Sequence, residues 1–165
     1  MRYFGVLMVF ISIRQYFYKL NNALMLCLLL PLLTFLALYL QAFETLPKLP
    51  QPYLDLVLPG VLTINWAIAF YLFDKKIKSI RNDQGLRAKL EKYFALTIVR
   101  YIQITGGHLF LAAGFYITQE DVVTGIFVAS MVLAGLLWPT SAKVCKDLKL
   151  RGDEREMVYY KKDEL

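Results

Sequence analysis

Apolar residues in this chain come in long runs, not in the alternation of a half-buried strand or the narrow stripe of a soluble helix. A spanning helix needs about 20 predominantly apolar residues, and four runs approach or exceed that length: 23–42, 54–73, 93–117 and 122–139. The pattern predicts an all-α, polytopic integral membrane protein with four transmembrane helices in two hairpins, 23–73 and 93–139.

The first 22 residues read differently. On a helix, Gly5, Met8, Ser12, Gln15, Lys19 and Asn22 fall on one stripe and the remaining faces are aliphatic and aromatic. This predicts an amphipathic helix lying in the membrane interface. A fifth span is the alternative reading. No small-residue cleavage site follows the apolar run from Tyr3 to Ile13, so a removable signal peptide is not expected.

Punctuation agrees with this division. Pro31 sits in the middle of the first run, where its missing N–H predicts a kink. Pro47, Pro50 and Pro52 mark residues 43–53 as a stiff outer loop. Pro59-Gly60 lies in the first turns of the second span, where proline is better tolerated. Residues 74–92 form a charged loop, helical on each side of 82–85. Thr118 followed by Asp121 three residues on resembles a capping box for the fourth span. In that span small residues recur four apart, Gly125/Ala129 and Ser130/Ala134, a spacing that allows close backbone approach. Residues 140–165 are a charged tail in which a short helix runs from about Ser141 to Gly152.

Composition and charge sharpen the picture. Hydrophobic residues make up 58% of the 165, above the roughly 45–50% of soluble domains, which excludes an ordinary water-soluble fold. The net charge of +6 would suit a nucleic-acid binder, but the cations flank apolar runs. There they set orientation and meet anionic lipid headgroups at the basic inner loop. Lys and Arg number three in 1–22, seven in 74–92 and seven in 140–165, against Lys48 alone in the two opposite turns. Seventeen against one places both termini in the cytoplasm, in a plasma or inner membrane rather than the endoplasmic reticulum. Lys162-Asp163-Glu164-Leu165 spells a retrieval signal for that compartment. Retrieval needs a lumenal terminus, so the match is read as chance within a tail rich in the same residues. Cys27 and Cys145 form no metal-binding spacing, and a cytoplasmic-side location argues against a disulfide.

Chemistry is sparse. Catalytic and nucleotide-binding motifs are not found, so no enzyme activity, cofactor or metal is expected. The third run carries Arg100, Gln103, Gly107 and Gly114 on one helical face, with His108 at its edge. This face is expected to turn inward. Asn65 of the second span lies at similar depth to Gln103 and is expected to meet it across the helices. Polar groups inside a bilayer are costly and mark function by default. Asn65, Arg100, Gln103 and His108 are therefore the candidate midplane site: Arg100 as an anion contact, Asn65 and Gln103 as hydrogen-bonding groups, His108 as a proton carrier or ligand. The competing reading is that these residues join helices and Arg100 extends to the headgroups. The sequence supports a non-enzymatic membrane component or accessory subunit, forming a homo-oligomer or joining a membrane protein partner. The alternative is a small transporter or channel subunit using the polar cluster.

Overall fold

A computed structural model describes residues 11–40, 53–83 and 85–162. The proline-rich connector expected at 43–53, all but its last residue, lies outside the described residues, as do residues 1–10 of the expected interfacial helix and 163–165 of the tail. Among the described residues there are six helices and no strand: α1 (Ile13–Tyr39), α2 (Leu54–Ile80), α3 (Leu86–Thr118), α4 (Asp121–Leu136), α5 (Ser141–Leu148) and α6 (Gly152–Tyr160).

Three helices are long and apolar enough to cross a membrane: α1 with mean hydropathy 2.1, Leu56–Ile80 of α2 with 1.9, and α3 with 1.2. Their outward leucines fit a lipid environment, since soluble proteins rarely expose large contiguous apolar patches; Leu26, Leu30, Leu33 and Leu36 of α1 are all exposed. The helix expected over 122–139 is shorter. α4 ends at Leu136 after 16 residues, about 24 Å at a rise of about 1.5 Å per residue. It reaches spanning length only together with α5, from which it is bent by 75°.

Several boundaries differ from the expected ones. No helix ends at 22/23: α1 runs through it from Ile13. Thr118 does not cap α4. It is the last residue of α3 and donates its hydroxyl to the Gly114 carbonyl (3.1 Å). Gln119 then turns the chain with φ 52°, and Glu120 is the N-cap, without a side-chain cap bond. In the tail, Thr140 caps α5 by accepting from the Lys143 N–H (3.3 Å). α5 stops at Lys149, which takes the left-handed conformation, three residues before Gly152. Gly152 begins α6, a second tail helix the composition did not suggest.

The chain divides into two compact units. One comprises 1–23, 73–98 and 139–165. Within it Ile13, Tyr16, Phe17 and Leu20 of α1 are buried at spacings of three and four, opposite exposed Arg14, Tyr18 and Asn22. The apolar face assigned to the membrane interface is thus buried against protein: Tyr16 packs edge-on against Phe94, with ring centroids 5.9 Å apart. The tail is folded into the same unit. Arg81 Nε donates to the Asp147 carbonyl (2.7 Å), the Tyr93 hydroxyl donates to Asp147 Oδ2 (2.9 Å), and Lys89 pairs with Glu154 (2.9 Å).

The other unit comprises 24–72 and 99–138. Its core gathers Phe35 of α1, Leu58 and Leu62 of α2, Leu111 and Phe115 of α3, and Val123 and Phe127 of α4. Phe35 and Phe127 stack with centroids 4.0 Å apart. Helix α3 has to approach α2 closely: a Cβ on Gly114 would lie 2.5 Å from Leu58 Cδ2. A polar interaction crosses this unit too. Pro31 has no N–H, so the Cys27 carbonyl four residues earlier loses its helical donor. Thr105 of α3 supplies one, its hydroxyl donating to Cys27 O at 2.7 Å.

Candidate functional site

The polar face of α3 is buried from Arg100 to His108, interrupted at Ile102, Gln103 and Gly106. Half of the most apolar window of α3 is buried, against 17% in α1 and 22% in α2, so α3 is the most covered of the three long helices.

His108 is fully buried, and both ring nitrogens are engaged. Nδ1 lies 2.8 Å from the Ile104 carbonyl oxygen, and Nε2 lies 3.0 Å from Ser130 Oγ on α4. A carbonyl can only accept, so Nδ1 carries hydrogen and the neutral ring presents its lone pair at Nε2. Ser130 Oγ also lies 2.9 Å from the Phe127 carbonyl. Its one hydrogen can serve Nε2 or that carbonyl. With a neutral ring the hydroxyl donates to Nε2. With an imidazolium, Nε2–H donates to Oγ and the hydroxyl donates to Phe127 O. Trp66 and Phe127 enclose the ring, with centroids at 6.1 and 5.7 Å, the latter edge-on.

Arg100 is 4% exposed, and its guanidinium carbon stands 5.5 Å from the Tyr101 ring centroid and 5.9 Å from that of Phe70. In this structure the side chain is folded against aromatic faces, a cation–π arrangement, rather than extended away from the protein. Tyr101 is itself anchored, donating to the Ala134 carbonyl of α4 at 3.2 Å.

Asn65 and Gln103 are both half-buried. The amide of Asn65 rests on Gly107: a Cβ there would lie 3.4 Å from Asn65 Cγ and 3.5 Å from Oδ1. Asn65 Oδ1 is buried with no hydrogen-bond partner among the described residues, so it does not accept from Gln103. The expected pairing of these two amides is absent there, because the glycine lets Asn65 approach the helix backbone one turn further along.

Of the four candidates, the structure joins His108 to α4, seats Asn65 on α3 and lays Arg100 over rings of α2 and α3. In the sequence Ser130 reads as a small packing residue; in the structure it is His108's partner. Nothing local in the sequence marks Thr105. Its signal was indirect: a proline inside a span implies a carbonyl that needs a donor elsewhere. Comparison with protein-family models, curated proteins and solved structures finds no match to this chain.

Proposed function

We propose that this chain is a four-span integral membrane protein with both termini in the cytoplasm. It acts without catalysis, as a membrane component or accessory subunit that assembles with its own kind or with a membrane partner through helix packing. Three helices of spanning length support the membrane reading, and α4 with its bent continuation α5 offers the fourth crossing. The seventeen-to-one cation asymmetry supports the orientation.

The observation that carries the non-catalytic reading is the closure of His108. Both its nitrogens are taken up between α3 and α4, so the ring serves as a tie between helices. The assembly reading draws on α4. Ser130 and Ala134 of the expected small-residue pairs turn inward, whereas Gly125 faces open space and Ala129 is exposed. That outward pair lets another helix come close.

Native mass spectrometry of the protein from its own membrane in mild detergent tests this. A fixed-stoichiometry protein partner or a homo-oligomer is expected, and Gly125→Leu with Ala129→Leu should dissociate it. A monomer in every preparation removes the reading.

One observation favours a transporter or channel subunit instead. The buried acceptor of Asn65 is free, on the same unit as Arg100, Gln103 and His108. On that reading Arg100→Ala or His108→Ala abolishes flux in proteoliposomes and leaves assembly intact.

A further inference from the structure

The tail holds an unneutralised basic groove. Helices α5 and α6 enclose an open cleft of about 610 Å³ lined by Lys146, Lys149, Arg151 and Arg155, with Cys145 and Leu150 at its base. Four cations crowd a short segment with no carboxylate among the residues lining the cleft.

Three of the nearby carboxylates are engaged elsewhere, and the fourth, Asp153, is exposed and is not among the residues lining the cleft. Asp147 accepts from Tyr93, Glu154 pairs with Lys89, and Glu156 pairs with Lys162 at 3.4 Å. Among the described residues, none of the four groove cations forms an ion pair with a carboxylate. Like charges so close repel one another, and an anion between them would relieve that repulsion.

The groove is also held in shape. Lys149 takes φ 53°, and the Leu150 N–H donates to Cys145 O (3.0 Å) while the Lys149 N–H donates to Lys146 O (3.2 Å). The Cys145 thiol donates to the Arg155 carbonyl at 3.8 Å, linking α5 to α6. Leu148, Leu150 and Val158 are buried beneath. Binding to such a framework costs little ordering of the backbone.

We propose that this groove binds a phosphate-bearing anion. Two arginines offer planar forks for phosphate oxygens and two lysines add point charges. The phosphate belongs either to a lipid headgroup or to a small soluble compound. In sequence the groove begins four residues after Trp138, which marks the inner border of the last apolar run, so a headgroup is within reach of the chain. The proposal stands independently of whether the spans form a subunit or a transporter.

The test is calorimetric titration of the full chain in an uncharged detergent. The probes are inorganic phosphate, dioctanoyl phosphatidic acid and, as control, dioctanoyl phosphatidylcholine. The variant is Lys146→Gln with Arg155→Gln, both exposed positions, with unchanged thermal melting as the check on folding. Lys75→Gln with Lys76→Gln removes the same charge from exposed sites on α2. Loss of the groove pair should weaken binding by about tenfold or more for each charge-assisted bond removed. Preference for phosphatidic acid over inorganic phosphate, lost in the groove variant alone, supports a lipid headgroup. Equal binding of the two, lost in the same variant, supports a soluble phosphate compound. Binding that survives the groove variant, or falls equally in the Lys75/Lys76 variant, overturns the proposal, and so does the absence of binding by either phosphate probe.

Discussion

Thr105 donates its hydroxyl across 2.7 Å to the carbonyl of Cys27, the one acceptor in α1 that Pro31 leaves without its helical N–H. The bond explains how a proline sits inside a spanning helix without an orphaned carbonyl. It also couples two substitutions. Thr105→Val should cost about 1–2 kcal/mol, the range for interhelical hydrogen bonds in membranes. In a Pro31→Ala background, residue 31 regains an N–H for Cys27 O, and the same substitution should cost clearly less. Detergent-titrated unfolding of the four proteins measures the cycle. An unchanged cost in the Pro31→Ala background would refute the coupling.

Ser130→Ala should destabilise the protein by about 1 kcal/mol by stripping Nε2 of its partner. His108→Ala removes in addition a ring from a fully buried position beside Phe127 and Trp66, and should cost about 2–5 kcal/mol. If the ring is a tie between helices, neither change alters ion or solute flux in proteoliposomes at temperatures where the fold persists.

Two glycines of α3 should respond in opposite ways to alanine. At Gly114 the new methyl would meet Leu58 at 2.5 Å, and Leu58 is itself buried among Phe35, Leu111 and Phe115. Overpacking of this kind costs about 1–3 kcal/mol. At Gly106 nothing lies within 4 Å, so alanine should be neutral or gain up to about 1 kcal/mol from helix propensity. Melting temperatures of both variants in one detergent decide it.

Docking of the tail rests on Asp147, which takes a bond from Tyr93 and one from Arg81. Tyr93→Phe combined with Arg81→Ala should loosen α5, leaving the spans intact. Limited trypsin digestion reads this directly: cleavage after Lys149 and Arg151 should accelerate several-fold, whereas equal rates would mean that the apolar face of α5 and the Lys89–Glu154 pair hold the tail without Asp147's two bonds.

Burial raises the Cys145 thiol above its ordinary range, against a smaller opposing pull from Arg155. Less thiolate is present near pH 8 than for a free cysteine, so iodoacetamide should label Cys145 more slowly than an exposed thiol. The neutral thiol is the form the fold prefers. Its contribution is complete below the ordinary thiol range and fades as pH rises through the raised value. The parent protein should therefore lose more melting temperature between pH 8 and pH 11 than Cys145→Ala does.

Local pattern alone determined the broad architecture. Runs of about 20 apolar residues can only be helices buried in lipid or protein, because unpaired backbone groups have no other refuge in a bilayer. The inward face of α3 was legible for the same reason: Arg100, Gln103, Ile104, Gly107, Leu111 and Gly114 share one face at the helical period, and all but the half-buried Gln103 are buried. Tertiary structure decided the rest. An apolar stripe demands cover but does not say by what, so Ile13, Tyr16, Phe17 and Leu20 read as a membrane face and proved to be a protein contact. A hydrogen bond between distant residues depends on how two helices are rotated and how deep each lies, and neither follows from spacing along one helix. Hence His108 meets Ser130 of α4, and Asn65 settles on Gly107 instead of reaching Gln103. Only the folded chain brings Thr105 to the carbonyl that Pro31 set free.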